Sequence, residues 1–126
     1  MMAPRPSSQT EPVTIVVLGA SGDLARKKIF PALFALYSQG YLPDPFHIIG
    51  YARSIATDEE FRNKIMENLT CRYVPEQDCA EKMEEFLSHC FYRSGQYDSP
   101  ESFQALSQFA QQLENHQPTN RVFYMS

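Results

Sequence analysis

No apolar run in this chain approaches the roughly 18 residues that a membrane-spanning helix needs, so no membrane partner is expected of its 126 residues. Positive charge is also in short supply. Lys and Arg number 11 against 15 Asp and Glu, giving a formal net charge of −4 and a sequence pI near 5.3. That balance argues against a general nucleic-acid binder, which needs a basic face for phosphates. Cysteine is sparse: Cys71, Cys79 and Cys90 lack the paired C-x₂-C spacing of a zinc site, so no metal is expected. Odd in number, they do not read as a secreted disulfide framework either. Spacing alone makes them buried or incidental thiols. There is no internal repeat, and no low-complexity tract beyond the N-terminal MMAPRPSSQTEP. Residues 1–12 are polar and proline-bearing and are expected to form a disordered tail. With Arg5 as its single basic residue, this tail makes neither a signal peptide nor a complete transit peptide.

Residues 13–126 carry the apolar patterning of one domain, and 43% apolar content suffices for a globular core. The chain is organised around GASGDLARKK, residues 19–28. A β-branched and apolar run, Val13 to Leu18, precedes it, and a stripe of Ala25, Ile29, Leu33 and Leu36 at helical spacing follows. Strand, glycine turn, helix is the context in which such glycines mark a dinucleotide phosphate site. Gly19 lets the chain turn off the strand, and Gly22 lets the backbone approach a pyrophosphate. Ser21 holds the second glycine position and Ala25 lies just past the third, so the spacing reads G-x-x-G-x-x-A. Glycines alone serve a purely structural turn equally well. Arg26, Lys27 and Lys28 add weight to the ligand reading, because the helix dipole disfavours cations in a first turn unless an anion joins them.

Beyond the turn, the helix is expected to run to Gly40 as C-cap, kinked or divided at Pro31, which lacks a backbone donor. Phe46 to Tyr51 reads as a second strand, ending in Ala52-Arg53-Ser54. Thr57 and Glu60 form a capping box opening a helix to about Leu69. A further helix is expected over 77–89, with Met83, Phe86 and Leu87 as its apolar face. A short strand follows at 90–93, then a turn at Gly95. Ser99-Pro100 opens a helix with Phe103, Leu106, Phe109 and Leu113 at helical spacing. A fourth strand closes the chain over 121–126. Alternating strands and helices imply an α/β fold, a Rossmann-type parallel sheet with flanking helices in an incomplete doubly wound domain.

Arg53 is the second informative position. At this strand end an acid favours NAD, whereas arginine accommodates the 2′-phosphate of NADP with its planar fork. No carboxylate follows until Asp58. An ordinary solvated arginine is the alternative, and the glycine turn favours NADP. Taken together, GASGDLARKK, GYARS at 50–54 and GQYD at 95–98 resemble the N-terminal coenzyme domain of glucose-6-phosphate dehydrogenase. The resemblance runs from about Val13 to the final FYMS and spans about the first quarter of a family member. It implies oxidation of glucose 6-phosphate to 6-phosphogluconolactone with NADP, at the head of the oxidative pentose phosphate pathway. It further implies that Gly19, Ala20, Ser21, Gly22, Asp23, Leu24, Ala25 and Arg26 form the phosphate loop. Arg53 would be the 2′-phosphate contact, and Met125 and Ser126 would begin the nicotinamide-side loop. Arg26 stands where lysine is commoner in the family.

The family's R-I-D-H-Y-L-G-K-E segment, which carries its catalytic histidine, lies beyond residue 126, so this chain alone is expected to be inactive. His47, His89 and His116 are in the wrong contexts to replace it and read as structural or solvated. Asp23 reads as stabilising a helix N-terminus. The stretch from Thr70 to Asp98 resembles the plastid branch of the family. That resemblance implies a thioredoxin-sensitive disulfide between Cys71 and Cys79, flanking a polar loop with Pro75, in which oxidation favours activity. It also implies a plastid location, a homo-oligomer and thioredoxin as a partner. A cytoplasmic location, a non-catalytic truncated isoform that binds nucleotide or a partner, and an unrelated dehydrogenase with a similar turn are the alternatives.

Overall fold

In a computed structural model, the alternating strands and helices resolve into a four-stranded parallel sheet of order β3-β2-β1-β4. The structure describes residues 12–43, 45–71 and 76–125. The strands are β1 (Val13–Leu18), β2 (Phe46–Ala52), β3 (Cys90–Ser94) and β4 (Asn120–Met125). Helices α1 (Phe30–Ser38), α2 (Asp58–Met66), α3 (Cys79–Leu87) and α4 (Pro100–Leu113) connect them. Strand β1 lies between β2 and β4, with Leu18 level with Tyr51 on one side and Met125 on the other. Strand order therefore reverses at β1, and doubly wound sheets take ligands at that reversal, beyond the carboxyl ends of the strands. Among the described residues, no helix is long and apolar enough to cross a membrane. The tail expected over 1–12 and the loop expected at Ser126 lie outside the described residues, apart from Pro12. Its carbonyl accepts the Asn120 N–H at 3.2 Å.

Period-two alternation divides the strands between two cores. Ile15 and Val17 of β1, Ile48 of β2, and Cys90 and Tyr92 of β3 pack with α1, α2 and α3. Val16, Ile49 and Tyr51 pack with Leu106 and Ala110 of α4. Edge-on aromatic pairs tie the first core together: Phe30 with Phe61, and Phe34 with Phe86, each at 5.3 Å between centroids. Such pairs add about 0.5–1.5 kcal/mol beyond their buried area.

The two sheet edges differ. At β3, Arg62 Nε donates to the Cys90 carbonyl (2.8 Å) and the Tyr92 N–H donates to Asp58 (2.7 Å). These side chains occupy backbone groups that another strand would otherwise pair with. At β4, Val122, Phe123, Tyr124 and Met125 are exposed, whereas strands of parallel sheets are ordinarily covered on both faces. The opposite end of the sheet is pinned by a buried carboxylate. Glu114 accepts from the Thr14 hydroxyl (2.6 Å) and from Arg121 Nε and Nη2 (3.0 and 2.8 Å).

Local signals place the helix starts well. Thr57 and Glu60 exchange both capping-box bonds (3.1 and 2.8 Å), and Ser99 accepts the Ser102 N–H at 3.2 Å. Gly40 is left-handed at φ 79°, and the Tyr41 N–H reaches back to the Leu36 carbonyl at 2.9 Å, closing the helix end as a glycine permits. Helix α2 ends at Met66, short of Leu69. Helix α3 starts at Cys79 after a 3₁₀ turn at Glu76–Asp78, later than Gln77.

The first helix departs more from expectation. A π-turn, Ala25–Ile29, precedes α1, and the Phe30 N–H bonds back to the Ala25 carbonyl. One extra residue in a turn rotates everything downstream by about 100°. The stripe of Ala25, Ile29, Leu33 and Leu36 is therefore broken, and Leu36 is 38% exposed. Phe30, Leu33, Phe34 and Tyr37 make the buried face instead. Pro31 sits in the first turn of α1, just after the π-turn, where its missing donor costs least.

Candidate functional site

Gly19 leaves β1 at φ 78°, in the left-handed region where a side chain is disfavoured. The N–H groups of Gly19 and Ala20 both donate to the Tyr51 carbonyl, at 2.8 and 3.2 Å, which fastens the turn to the end of β2. The Gly22 N–H then donates to the Gly19 carbonyl (3.0 Å), and the Arg26 N–H to the Gly22 carbonyl (3.2 Å). A Cβ on Gly22 would stand 3.4 Å from the Gly19 carbonyl oxygen, so packing within the chain does not demand glycine there. Gly22 instead lines the open space above the turn. No side chain caps the helix that follows, in contrast to Thr57 and Ser99 at α2 and α4. First-turn N–H groups lack intrahelical acceptors and favour an anion.

Over this turn lies a cavity of about 370 Å³. Gly19, Ser21, Gly22, Asp23, Leu24 and Arg53 line it, together with Ser54 and Tyr97. Six of the nine residues expected at the site are thus brought together. The other three lie elsewhere. Ala25 is fully buried in the first core, where a small residue lets the helix pack closely on the sheet. Ala20 and Arg26 line a neighbouring cavity of about 200 Å³. The basic cluster also divides. Arg26 forms an ion pair with Asp23, which compensates its charge inside the chain, while Lys27 and Lys28 line a separate groove beside Pro31.

The GYARS and GQYD segments form one construction. The Gly95 N–H donates to the Ala52 carbonyl (3.0 Å), and the Tyr51 hydroxyl donates to the Gln96 carbonyl (3.0 Å). A Cβ on Gly95 would collide with that hydroxyl. Gly50 does the same service one layer in. A Cβ there would meet Phe61 Cζ at 2.5 Å and Ala20 Cβ at 2.8 Å. The Arg53 guanidinium lies 5.9 Å from the Tyr97 ring centroid, a cation–π contact that orients it at the cavity. Tyr97 and Ser54 line the cavity in addition to the residues expected there. The signal available for Tyr97 was its place in a turn directly after the strand neighbouring β2.

Cys71 and Cys79 are joined by a disulfide with Cα atoms 5.7 Å apart, inside the roughly 7 Å limit for bridging. Pro75 lies outside the described residues. Cys90 is a buried free thiol, and burial pushes its pKa far above the ordinary range despite the nearby Arg62 charge. The histidines have structural surroundings. The His89 ring stacks on Phe46 at 4.2 Å with Nδ1 2.9 Å from the Phe46 carbonyl. His47 lies in β2, and exposed His116 holds a left-handed turn at φ 57°.

The family described as "Glucose-6-phosphate dehydrogenase, NAD binding domain" matches residues 16–126. The chain is 57% identical over 118 residues to glucose-6-phosphate 1-dehydrogenase 3, chloroplastic, of Arabidopsis thaliana, covering 94% of this chain and 20% of that protein. The cytoplasmic glucose-6-phosphate 1-dehydrogenase 5 of the same plant is 46% identical over 130 residues, covering 96% and 24%. A solved glucose-6-phosphate dehydrogenase in complex with glucose 6-phosphate superposes with a TM-score of 0.83 at 40% identity, covering 92% of this chain and 24% of that one. The chain spans about a fifth of the length of the curated relatives it matches. With its glycine turn at the strand-order reversal and a match that runs through GYARS and GQYD, the chain belongs to the glucose-6-phosphate dehydrogenase family, as its NAD-binding domain.

Proposed function

We propose that this chain is the NADP-binding part of a glucose-6-phosphate 1-dehydrogenase, whose whole protein oxidises glucose 6-phosphate to 6-phosphogluconolactone. The observation that carries the coenzyme choice is Arg53 at the cavity, on a strand end without a carboxylate. When bound, NADP supplies the nicotinamide that accepts hydride from sugar C1. The chain's own residues bind and orient it. The Gly19–Gly22 backbone and the uncapped helix start would hold the pyrophosphate, and Arg53 would hold the 2′-phosphate by a charge-assisted contact. Proton and hydride chemistry on the sugar falls to segments outside these residues. Titrating the full-length protein with NADP and NAD tests the reading. Arg53→Ala is expected to weaken NADP by about 1.5–3 kcal/mol while leaving NAD nearly unchanged. Equal weakening of both would move the 2′-phosphate role elsewhere.

We infer further that the Cys71–Cys79 bridge is a redox switch reduced by thioredoxin, in a plastid-located homo-oligomer; a cytoplasmic location is the alternative. In support, the bridge ends at the first residue of α3, and α3 touches α1 directly: the Tyr37 hydroxyl donates to Glu85. Helix α1 continues from the glycine turn, so release of the bridge has a short mechanical path to the coenzyme. Thiol mapping with and without reduced thioredoxin, alongside the activity of the full-length enzyme, tests this. Activity that falls on reduction and is insensitive in Cys71→Ser supports it; activity unchanged by reduction contradicts it.

A further inference from the structure

The cavity over the glycine turn and its 200 Å³ neighbour share two residues, Ser21 and Ser54. The walls of the neighbour hold two cations, Arg26 and Lys64, and three hydroxyls, those of Ser21, Ser54 and Tyr92. Its remaining lining is apolar, with Phe61 and Ile65 from α2, and among the described residues no carboxylate lines it. A recess with two positive groups, hydroxyl donors and low-dielectric walls concentrates an anionic group. The two cations differ in how far they are already satisfied. Arg26 spends Nη2 on Asp23, while its Nε is buried without a hydrogen-bond partner among the described residues. Lys64 is exposed and forms no ion pair with a carboxylate among the described residues. Two of the lining residues are tied together, because the Tyr92 hydroxyl donates to the Ser54 carbonyl at 2.5 Å.

We propose that Lys64, from the last turn of α2, is a second specificity-determining cation for the 2′-phosphate of the coenzyme, acting from this neighbouring cavity. The proposal rests on the NADP reading above and deepens it. Arg53 lines the first cavity, Lys64 lines the second, and Ser54, the residue after Arg53, lines both. A phosphate set at Ser54 therefore has a cation on either side. Lys64 contributes more net charge than Arg26, which Asp23 already neutralises. The ammonium reaches the phosphate as a point charge at the end of a flexible stem, complementing the fixed fork of Arg53. A coenzyme lacking the 2′-phosphate leaves nothing in this recess for Lys64 to meet.

The test is calorimetric titration of the full-length protein with NADP, NAD, and 2′,5′-ADP as a probe of the phosphate alone. Lys64→Met keeps the stem length and removes the charge. It is expected to weaken NADP and 2′,5′-ADP about five- to tenfold, to leave NAD within about twofold, and to flatten the salt dependence of NADP binding. Lys64→Arg restores both. An unchanged melting temperature for each variant shows that the exposed side chain is not acting through the fold. Unchanged NADP affinity in Lys64→Met, or equal losses for NADP and NAD, overturns the assignment. The two levels separate cleanly. A wild-type protein without preference for NADP, or an Arg53→Ala variant that binds it normally, overturns the NADP reading and the proposal with it. A normal preference and a normal Arg53 effect with a silent Lys64 overturn only the second cation.

Discussion

Replacing Gly50 by alanine tests how the core supports the glycine turn. The new methyl would stand 2.5 Å from Phe61 Cζ and 2.8 Å from Ala20 Cβ, against about 3.5–4.0 Å for a comfortable carbon contact. Something must move by about 1 Å. The Phe61 ring is held edge-on by Phe30 at 5.3 Å and against Tyr92 at 5.1 Å, so it has little room to swing. Ala20 Cβ moves only with its backbone, and that backbone is bonded to the Tyr51 carbonyl. Overpacking of this kind costs about 1–3 kcal/mol. Alanine recovers about 0.5–1 kcal/mol over glycine in a strand. The net loss is about 1–2 kcal/mol, or a fall in Tm of roughly 4–8 °C for a domain of this size. NADP affinity falls as well, because the displaced residue belongs to the turn. Gly40→Ala is the control: φ there is 79°, and among the described residues nothing lies within 4 Å of a new Cβ. It costs roughly 1–2 kcal/mol through left-handed strain and leaves coenzyme affinity intact. Thermal melts and NADP titrations of both variants decide the matter. A Gly50→Ala protein that melts and binds like wild type refutes the packing argument. An equal affinity loss in Gly40→Ala reduces the binding effect to general instability.

Acid destabilises the fold in two steps. Burial, then the neighbouring His89 charge, lower the His47 pKa below its ordinary 6.5 against the opposing pull of Glu114, so stability is lost as pH falls below 6.5. Burial raises the Glu114 pKa, but hydrogen bonds from Arg121 and Thr14 and the charges of Arg121 and His47 outweigh it and hold it below the ordinary 4.5. Its stabilisation is present above 4.5 and lost below. Urea melts across pH 3–8 are expected to show both losses, with His47→Gln removing the upper and Glu114→Gln the lower; one that keeps its step contradicts the assignment. Glu114→Ala strips the partner from partly buried Arg121 and is expected to cost about 3 kcal/mol. Reducing the Cys71–Cys79 bridge releases a short loop and is expected to cost about 2–3 kcal/mol in a melt, while Cys90 resists alkylation until the protein unfolds; rapid native labelling of Cys90 contradicts its burial.

Much of the fold was legible because its signals are local. Thr57 with Glu60 and Ser99 with Pro100 announce helix starts within a few residues, and Val13 to Leu18 announces a buried strand by composition. The π-turn was not legible. Ala25, Ile29, Leu33 and Leu36 satisfy helical spacing, and only the packing of Phe30 and Phe34 against Phe61 and Phe86 shows that the register has shifted. The site divides in the same way. Gly19, Ser21, Gly22 and Arg53 could be named from strand–turn–helix context. The reasons for Gly50 and Gly95 could not, since Phe61, Ala20 and Tyr51 reach them only once the sheet and α2 are assembled. Tyr97 and Lys64 share that character, because a residue distant in sequence lines a cavity through topology rather than spacing.

A dinucleotide lying across the glycine turn would set its 2′-phosphate at the end of β2. The most direct measurement is backbone amide NMR of the selectively labelled protein titrated with NADP and then with NAD. Both coenzymes are predicted to shift Gly19, Gly22, Asp23 and Leu24, with the differences between them confined to Arg53, Ser54 and Lys64. Shifts that leave the glycine turn untouched and gather around Gln111, His116 and Arg121, at the cavity on the other end of the sheet, would contradict it.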